Sequence, residues 1–389
     1  MTGPESSIRR TKIFVFYNLA ATLVLLLVLE GIASIYYAFR GAFATPPVAE
    51  SLYTEYDREL GWVSLPNVYL PNMYGPGKYL RTDSQRFRDN ADFAPIVPYG
   101  KARIICSGDS FTFGFGVDND NTWPQLLATR APNLETVNMG QGGYGADQAY
   151  LWYKRDAAAL NHDIQIFAII LPDLYRMQHP LFNGYGKPVL AVENDRLVTT
   201  NVPVPRSLTV RSPRLLRVQN AVLNLSITRL LRRILGLDTL EVTETQKERN
   251  RETAEIVWPM LDDLRDMNRA RNSVLVLAYL PTREEYGADL GASWRKFLAG
   301  YARQRGVPFI DMVDDFRRLP ASEVDKLFIA TGALNFPGAA GHYTEAGNAF
   351  VADLIYRQLL ANPVTAAKLH AGPEDAAPSR SDAAKPLAH

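Results

Sequence analysis

Five short apolar runs, spaced through residues 100–312, constrain this chain most. They are Arg103–Cys106, Leu134–Asn138, Ile164–Leu171 (IQIFAIIL), Ser273–Leu280 (SVLVLAYL) and Val307–Met312. None alternates apolar with polar residues, as a strand with one wet face would. Between and after them lie helix-like segments at about 122–131, 145–160, 246–270, 290–305 and 344–361. Continuous apolar strands alternating with amphipathic helices predict an α/β domain, a parallel sheet covered on both faces. Ligands of such sheets bind beyond the carboxyl ends of the strands, so the residues just after each run become the candidates for chemistry.

The rest of the chain divides around this unit, which is expected over 101–362. Residues 41–100 are rich in Pro, Gly, Tyr and Asn without a sustained period, and read as a linker and irregular lead-in. Residues 178–245 interrupt the alternation and are expected as a helical insert. Its Leu215–Leu235 part has helical spacing, and Arg196–Leu237 holds eight arginines and no acid. A lid over the site and a basic helix on an anionic membrane surface or acidic glycan are both open for it. Residues 363–389, Ala- and Pro-rich with scattered charge, are expected as a disordered tail.

The first 40 residues carry a different signal. Arg9, Arg10 and Lys12 precede Ile13–Leu29, a run that is apolar apart from Tyr17, Asn18 and Thr22. As a helix it covers roughly 26 Å, and its continuation to Phe39 reaches roughly 40 Å, enough to cross a hydrocarbon core of about 30 Å. The expectation is a single transmembrane anchor. The basic flank places the N-terminus in the cytoplasm and the remainder on the far, periplasmic or extracytoplasmic, side of the inner membrane. A cleaved signal peptide is the competing reading. Its small-residue site, Ala42-Phe43-Ala44, lies far past the apolar run.

Composition removes several functions. With 42 Lys+Arg against 41 Asp+Glu, the formal charge of +1 gives no field for nucleic acid, and no nucleic-acid partner is expected. One cysteine, Cys106, excludes a disulfide framework and a multi-Cys zinc site. Five histidines argue against a His-rich metal centre, so neither metal nor cofactor is expected. Gly140-x-Gly142-x-x-Gly145 matches a dinucleotide fingerprint. It follows the second strand rather than the first, and Asp173 lies 28 residues past Gly145 where about 20 is expected.

Three segments at strand ends carry candidate chemistry. The first strand runs into Ser107-Gly108-Asp109-Ser110-Phe111-Thr112-Phe113-Gly114. A serine there is placed as a nucleophile, with its own N–H turned to the cleft. The second ends at Asn138-Met139-Gly140-Gln141-Gly142-Gly143, where a glycine lets a substrate oxygen approach a main-chain N–H. The third, Gly341-His342-Tyr343-Thr344-Glu345-Ala346-Gly347, opens the last helix. A serine nucleophile needs a base. His342 is the best-placed histidine, His179 competes, His162 precedes its strand, and His370 and His389 lie in the tail.

These blocks, Gly108-Asp109-Ser110, Asn138-x-Gly140 and His342-Tyr343-Thr344-Glu345-Ala346-Gly347, together resemble blocks I, II and V of the SGNH (GDSL-type) hydrolases. The run GDSFTFGFGV and Thr122-Trp123-Pro124 is similar to bacterial membrane-anchored members. The resemblance covers about residues 100–361. It implies a flavodoxin-like three-layer sandwich with a five-stranded parallel sheet, and hydrolysis or transfer of acyl esters. Ser110 would be the nucleophile, His342 the base, and the N–H groups of Ser110 and Gly140 oxyanion donors, with Asp109, Asn138 and Asp173 completing the site. Two departures stand out. The family asparagine of block III is replaced within Leu171-Pro172-Asp173 by a proline, which has neither side-chain donor nor N–H. The family aspartate two or three residues before the histidine is Ala340 or Ala339 here. Asp173, Asp311 and Glu345 stay open as substitutes. The expected function is a membrane-anchored serine esterase or O-acyltransferase acting on an acylated envelope glycan or lipid. The alternative is a catalytically impaired binding module for an envelope glycan.

Overall fold

A computed structural model describes residues 4–44, 52–205 and 241–370. The chain forms two compact units, residues 1–46 with 207–249 and residues 47–206 with 250–389. In the first, helix α1 spans Pro4–Ala44, and Ile13–Ile32 is long and apolar enough to cross a membrane, with a mean hydropathy of 2.2 and none of it buried. Twenty helical residues extend about 30 Å, the thickness of a hydrocarbon core.

The second unit begins with two small antiparallel pairs, β1 (Thr54–Asp57) with β2 (Gly61–Ser64) and β3 (Tyr69–Leu70) with β4 (Leu80–Arg81). The α/β alternation follows: β5 (Ala102–Gly108), α2 (Ser110–Phe113), α3 (Trp123–Ala128), β6 (Leu134–Gly140), α4 (Ala146–Trp152), β7 (Ile164–Ile169) and α5 (Leu171–Arg176). Hairpins β8–β9 (Leu181–Phe182, Tyr185–Gly186) and β10–β11 (Val189–Glu193, Arg196–Thr200) come next. The chain then runs through α6 (Glu241–Ala270), β12 (Val274–Tyr279), α7 (Arg283–Gly287), α8 (Ala292–Arg305) and β13 (Phe309–Asp311). It closes with α9 (Val313–Arg317), α10 (Ala321–Leu327), α11 (Glu345–Ala361) and α12 (Pro363–His370).

The five expected strands form one sheet in the order β6-β5-β7-β12-β13, every neighbouring pair parallel. Its side chains divide by parity, as the period of two requires. Ile104, Cys106, Ile166, Val276 and Ala278 join one apolar cluster with Leu127, Val351 and Ile355 of α3 and α11. Ile105, Phe167, Leu275 and Leu277 join the other with Leu261, Leu264 and Leu298 of α6 and α8. All seven residues of β5 are buried, which explains why no polar alternation marked it. The result is the expected flavodoxin-like three-layer sandwich, with β5 and β7 flanking the strand-order reversal.

Three expectations about the flanks need correction. The lead-in is no linker: Trp62, Tyr74, Leu80 and Phe87 are buried in it, and it carries β1–β4. Residues 181–200 of the supposed helical insert are β-hairpins, with Asn183, Asn194 and Asp195 in the left-handed turn region. Short alternating stretches around Asn-Gly and Asn-Asp favour such hairpins over helix. The Leu215–Leu235 segment lies outside the described residues. Residues 363–370 of the expected disordered tail form helix α12, which buries Thr365 and Leu369. Residues 371–389 lie outside the described residues.

Candidate active site

Ser110 is the first residue of α2, directly past the carboxyl end of β5. Asp109 caps that helix, its Oδ1 accepting the Phe111 N–H at 2.8 Å. At the first helical position the Ser110 N–H has no intrahelical acceptor. Gly108 is required by crowding. A Cβ there would sit 2.3 Å from Thr112 Oγ1 and 2.9 Å from the Ala168 carbonyl oxygen.

His342 arrives from the far end of the chain. Its loop lies against residues 327–329: the Ile329 N–H donates to the His342 carbonyl at 2.8 Å, and the Thr344 N–H to the Leu327 carbonyl at 2.9 Å. Thr344 caps α11, its Oγ1 accepting from the Gly347 N–H at 3.1 Å. The ring is flanked by Phe111 and Phe115, with centroids at 4.6 and 5.3 Å. It brings Nε2 to 2.7 Å from Ser110 Oγ. Its Nδ1 lies 3.3 Å from the carbonyl oxygen of Ala339. A carbonyl only accepts, so it selects the tautomer with hydrogen on Nδ1 and leaves Nε2 as acceptor for the serine hydroxyl. Burial pushes the His342 pKa down to about 4, against the opposing pull of the Asp109 charge and nearby carbonyls. The ring is therefore neutral at pH 7.

Ala339 thus occupies, through its backbone, the orienting position that an acidic side chain was expected to fill. None of the three open substitutes reaches His342. Asp311 pairs with Arg295 at 2.8 Å and Glu345 with Lys78 at 2.5 Å. Asp173 is buried in α5, where Oδ2 accepts from the Ile170 N–H at 3.0 Å and Oδ1 from Arg176 at 2.6 Å. Burial, with the Asp109 charge next, holds the Asp173 carboxyl pKa well above the usual range.

The second block is packed more tightly than expected. A Cβ on Gly140 would stand 2.1 Å from the Phe113 nitrogen, so β6 and α2 meet backbone to backbone. Asn138 is fully buried and does not face the cleft, and its Oδ1 accepts the Gly140 N–H at 3.1 Å. The donor expected to be open at Gly140 is therefore occupied by its neighbour's amide. His179 is exposed beyond α5. His162 is buried before β7, 2.9 Å from the Tyr153 hydroxyl.

Several supporting residues lay in stretches without a sequence signal. Arg88, fully buried, donates to the carbonyls of Phe113 at 2.6 Å, Gly114 at 2.5 Å and Val117 at 2.6 Å. It thereby satisfies the open carbonyls at the end of the serine helix. Asp89 Oδ2 accepts the Asn138 N–H at 2.8 Å, and Trp62 Nε1 donates to the Gly142 carbonyl at 2.9 Å. The lead-in thus braces both the serine helix and the glycine loop. Arg176 also went unnoticed. Its Nη1 donates to Asp109 Oδ2 at 3.1 Å, the Tyr144 carbonyl at 2.9 Å and Asp173 Oδ1. A cavity of about 400 Å³, lined by Gly116, Val117, Ile329, Leu334 and Thr344 among others, adjoins the histidine loop. Among the described residues, no group of three His, Cys, Asp or Glu is arranged to hold a metal.

Chemically, a serine hydroxyl hydrogen-bonded to a neutral imidazole, next to a main-chain N–H, can attack an acyl carbon. No protein-family model and no curated protein matches the chain. Among solved structures it is similar to a G-D-S-L family lipolytic protein from Desulfitobacterium hafniense, at 15% identity and a TM-score of 0.37 over 66% of this chain and 99% of that one. It is also similar to the acetyl xylan esterase AlAXEase, at 13% and 0.36 over 66% and 98%. A third is a family 3 carbohydrate esterase from Clostridium thermocellum, at 14% and 0.37 over 69% and 99%. At such identities and scores the topology stands on the sheet's own strand order, and the chemistry on the residues gathered at its carboxyl edge.

Proposed function

We propose that the chain is an acyl-transferring serine enzyme, an esterase or O-acyltransferase, in which Ser110 is the nucleophile and His342 its base. The 2.7 Å contact between Ser110 Oγ and His342 Nε2 carries this reading. In the first half-reaction Ser110 Oγ bonds to the acyl carbon while Nε2 takes the hydroxyl proton, and the carbonyl π pair moves onto oxygen. Collapse restores the carbonyl, expels the alcohol and returns the proton to it, leaving an acyl-serine. Water then makes the enzyme a hydrolase, and a hydroxyl acceptor makes it a transferase. The Ser110 N–H supports the oxyanion, and the Ala339 carbonyl holds the imidazole in its working tautomer.

We further propose that the apolar helix is retained as an anchor in the inner membrane, with the α/β unit on its extracytoplasmic side. The basic cluster before the span supports that orientation. Substrates would then be acylated envelope glycans or lipids within reach of the membrane. A mature N-terminus at Thr45, or a protease-protected α/β unit in right-side-out vesicles, would count against the anchor.

The direct test is turnover of p-nitrophenyl acetate by the full chain in detergent micelles, with and without Ser110→Ala. Loss of turnover in the variant supports the assignment. Equal turnover in both removes Ser110 from the chemistry. No turnover in either, by folded protein, favours the glycan-binding module.

A further inference from the structure

Two features of the site leave the oxyanion short of donors. Pro172 offers no amide, and the Gly140 N–H is accepted by Asn138 Oδ1. One side chain crosses the gap. Arg176 Nη1 touches the segments that leave three adjacent strands: Asp109 after β5, Tyr144 after β6 and Asp173 after β7. The Asp109 Oδ2 that it grips at 3.1 Å is also 3.3 Å from Ser110 Oγ. Guanidinium and nucleophile therefore share one carboxylate oxygen. Nη1 alone makes these contacts, while Nε and Nη2 donate to nothing among the described residues. The side chain keeps 17% of its surface exposed and lies 5.1 Å from the Phe182 ring centroid. A purely structural counter-ion would need only the Nη1 edge.

We propose that Arg176 supplies the charged donor for the oxyanion of the acyl-transfer intermediate, in place of the amide missing at Pro172, an inference that rests on the acyl-transfer reading above. When Ser110 Oγ bonds to the acyl carbon and its proton passes to His342, the carbonyl electron pair settles on oxygen. The free guanidinium edge donates to that oxygen, and the pair returns to the carbonyl as the alcohol leaves. Charge develops there only in the transition state, so the contact lowers the barrier more than it tightens substrate binding.

The test uses the full chain in detergent and p-nitrophenyl acetate, a neutral ester. Arg176→Gln is expected to lower kcat on the order of 10²-fold while KM moves less than about threefold, the loss typical of one oxyanion donor. Pro172→Asn in the Arg176→Gln background is expected to recover part of the rate, which a merely structural arginine would not allow. Unchanged kcat in folded Arg176→Gln overturns the inference, as does an effect confined to KM for negatively charged esters. If Arg176→Gln does not fold, Arg176→Lys decides: a kcat loss of about tenfold or more at constant KM supports the role, and full activity overturns it. Wild-type protein without turnover sinks the acyl-transfer reading and this inference together. Turnover that persists undiminished in Arg176→Gln sinks this inference alone.

Discussion

Gly140→Ala probes the geometry of the site with a single methyl group. The new Cβ would lie 2.1 Å from the Phe113 nitrogen and 2.6 Å from both Phe113 Cα and the Thr112 carbonyl carbon. All three are main-chain atoms, so no rotamer change relieves the overlap. Ordinary contact begins at 3.4 Å, so α2 and β6 must part by at least about 1 Å. Overpacking of this kind costs typically 1–3 kcal/mol, and a clash of backbone on backbone belongs at the upper end, about 3 kcal/mol. For a unit of roughly 300 residues that corresponds to a fall in apparent Tm of roughly 5 °C. The displaced helix begins with Ser110, and a misplacement of about 1 Å costs on the order of 10² in rate. Thermal unfolding and labelling by a fluorophosphonate probe would be followed together. Gly287→Ala serves as control, because nothing lies within 4 Å of its Cβ position. A Gly140→Ala protein with native Tm and native labelling rate would refute the packing described for α2 and β6.

Other outcomes follow from the same contacts. Because burial lowers the His342 pKa to about 4, the imidazole is deprotonated across neutral pH. The kcat/KM profile should stay flat from about pH 8 to 5 and fall on approaching 4; a limb near 6.5, the value of a free histidine, would contradict the desolvation of the half-buried ring. The same group binds a proton more weakly folded than unfolded. Its contribution to stability is complete above about pH 6.5 and is lost as pH falls toward 4, which acid titration of Tm can follow. Lys187 and Asp147 form a fully buried ion pair tying the β9–β10 connection to α4. Lys187→Met should cost about 3–5 kcal/mol by urea unfolding, and adding Asp147→Leu should restore much of it. A single variant of native stability would show that the pair is not buried.

The sheet was legible because most of its strand residues are buried on both faces, so apolar runs rather than alternation mark them. Expected and observed boundaries agree to within three residues, from Arg103–Cys106 against Ala102–Gly108 to Val307–Met312 against Phe309–Asp311. Ser110 and His342 were legible for a related reason: both follow strand or loop signals at the edge where ligands bind. What supports them was not. Arg88 and Trp62 sit in a stretch with no period, and most of their partners are backbone carbonyls, which every residue carries. The Ala339 carbonyl that faces His342 has the same invisibility, so a search for an acid among Asp173, Asp311 and Glu345 could not find it. Arg176 lies one helical turn past Pro172, on the same side of a six-residue helix as Asp173. Only the fold shows that this turn brings it back to Asp109.

The most direct measurement of the central claim is the intact mass and labelling rate of the full chain with a fluorophosphonate probe. The account predicts one adduct, mapped to Ser110. His342→Ala should slow the reaction by 10²-fold or more, the scale of a lost general base, and His179→Ala should leave it unchanged. Folded protein that takes no adduct, or a His342→Ala variant labelled as fast as the wild type, would contradict a nucleophilic serine activated by His342.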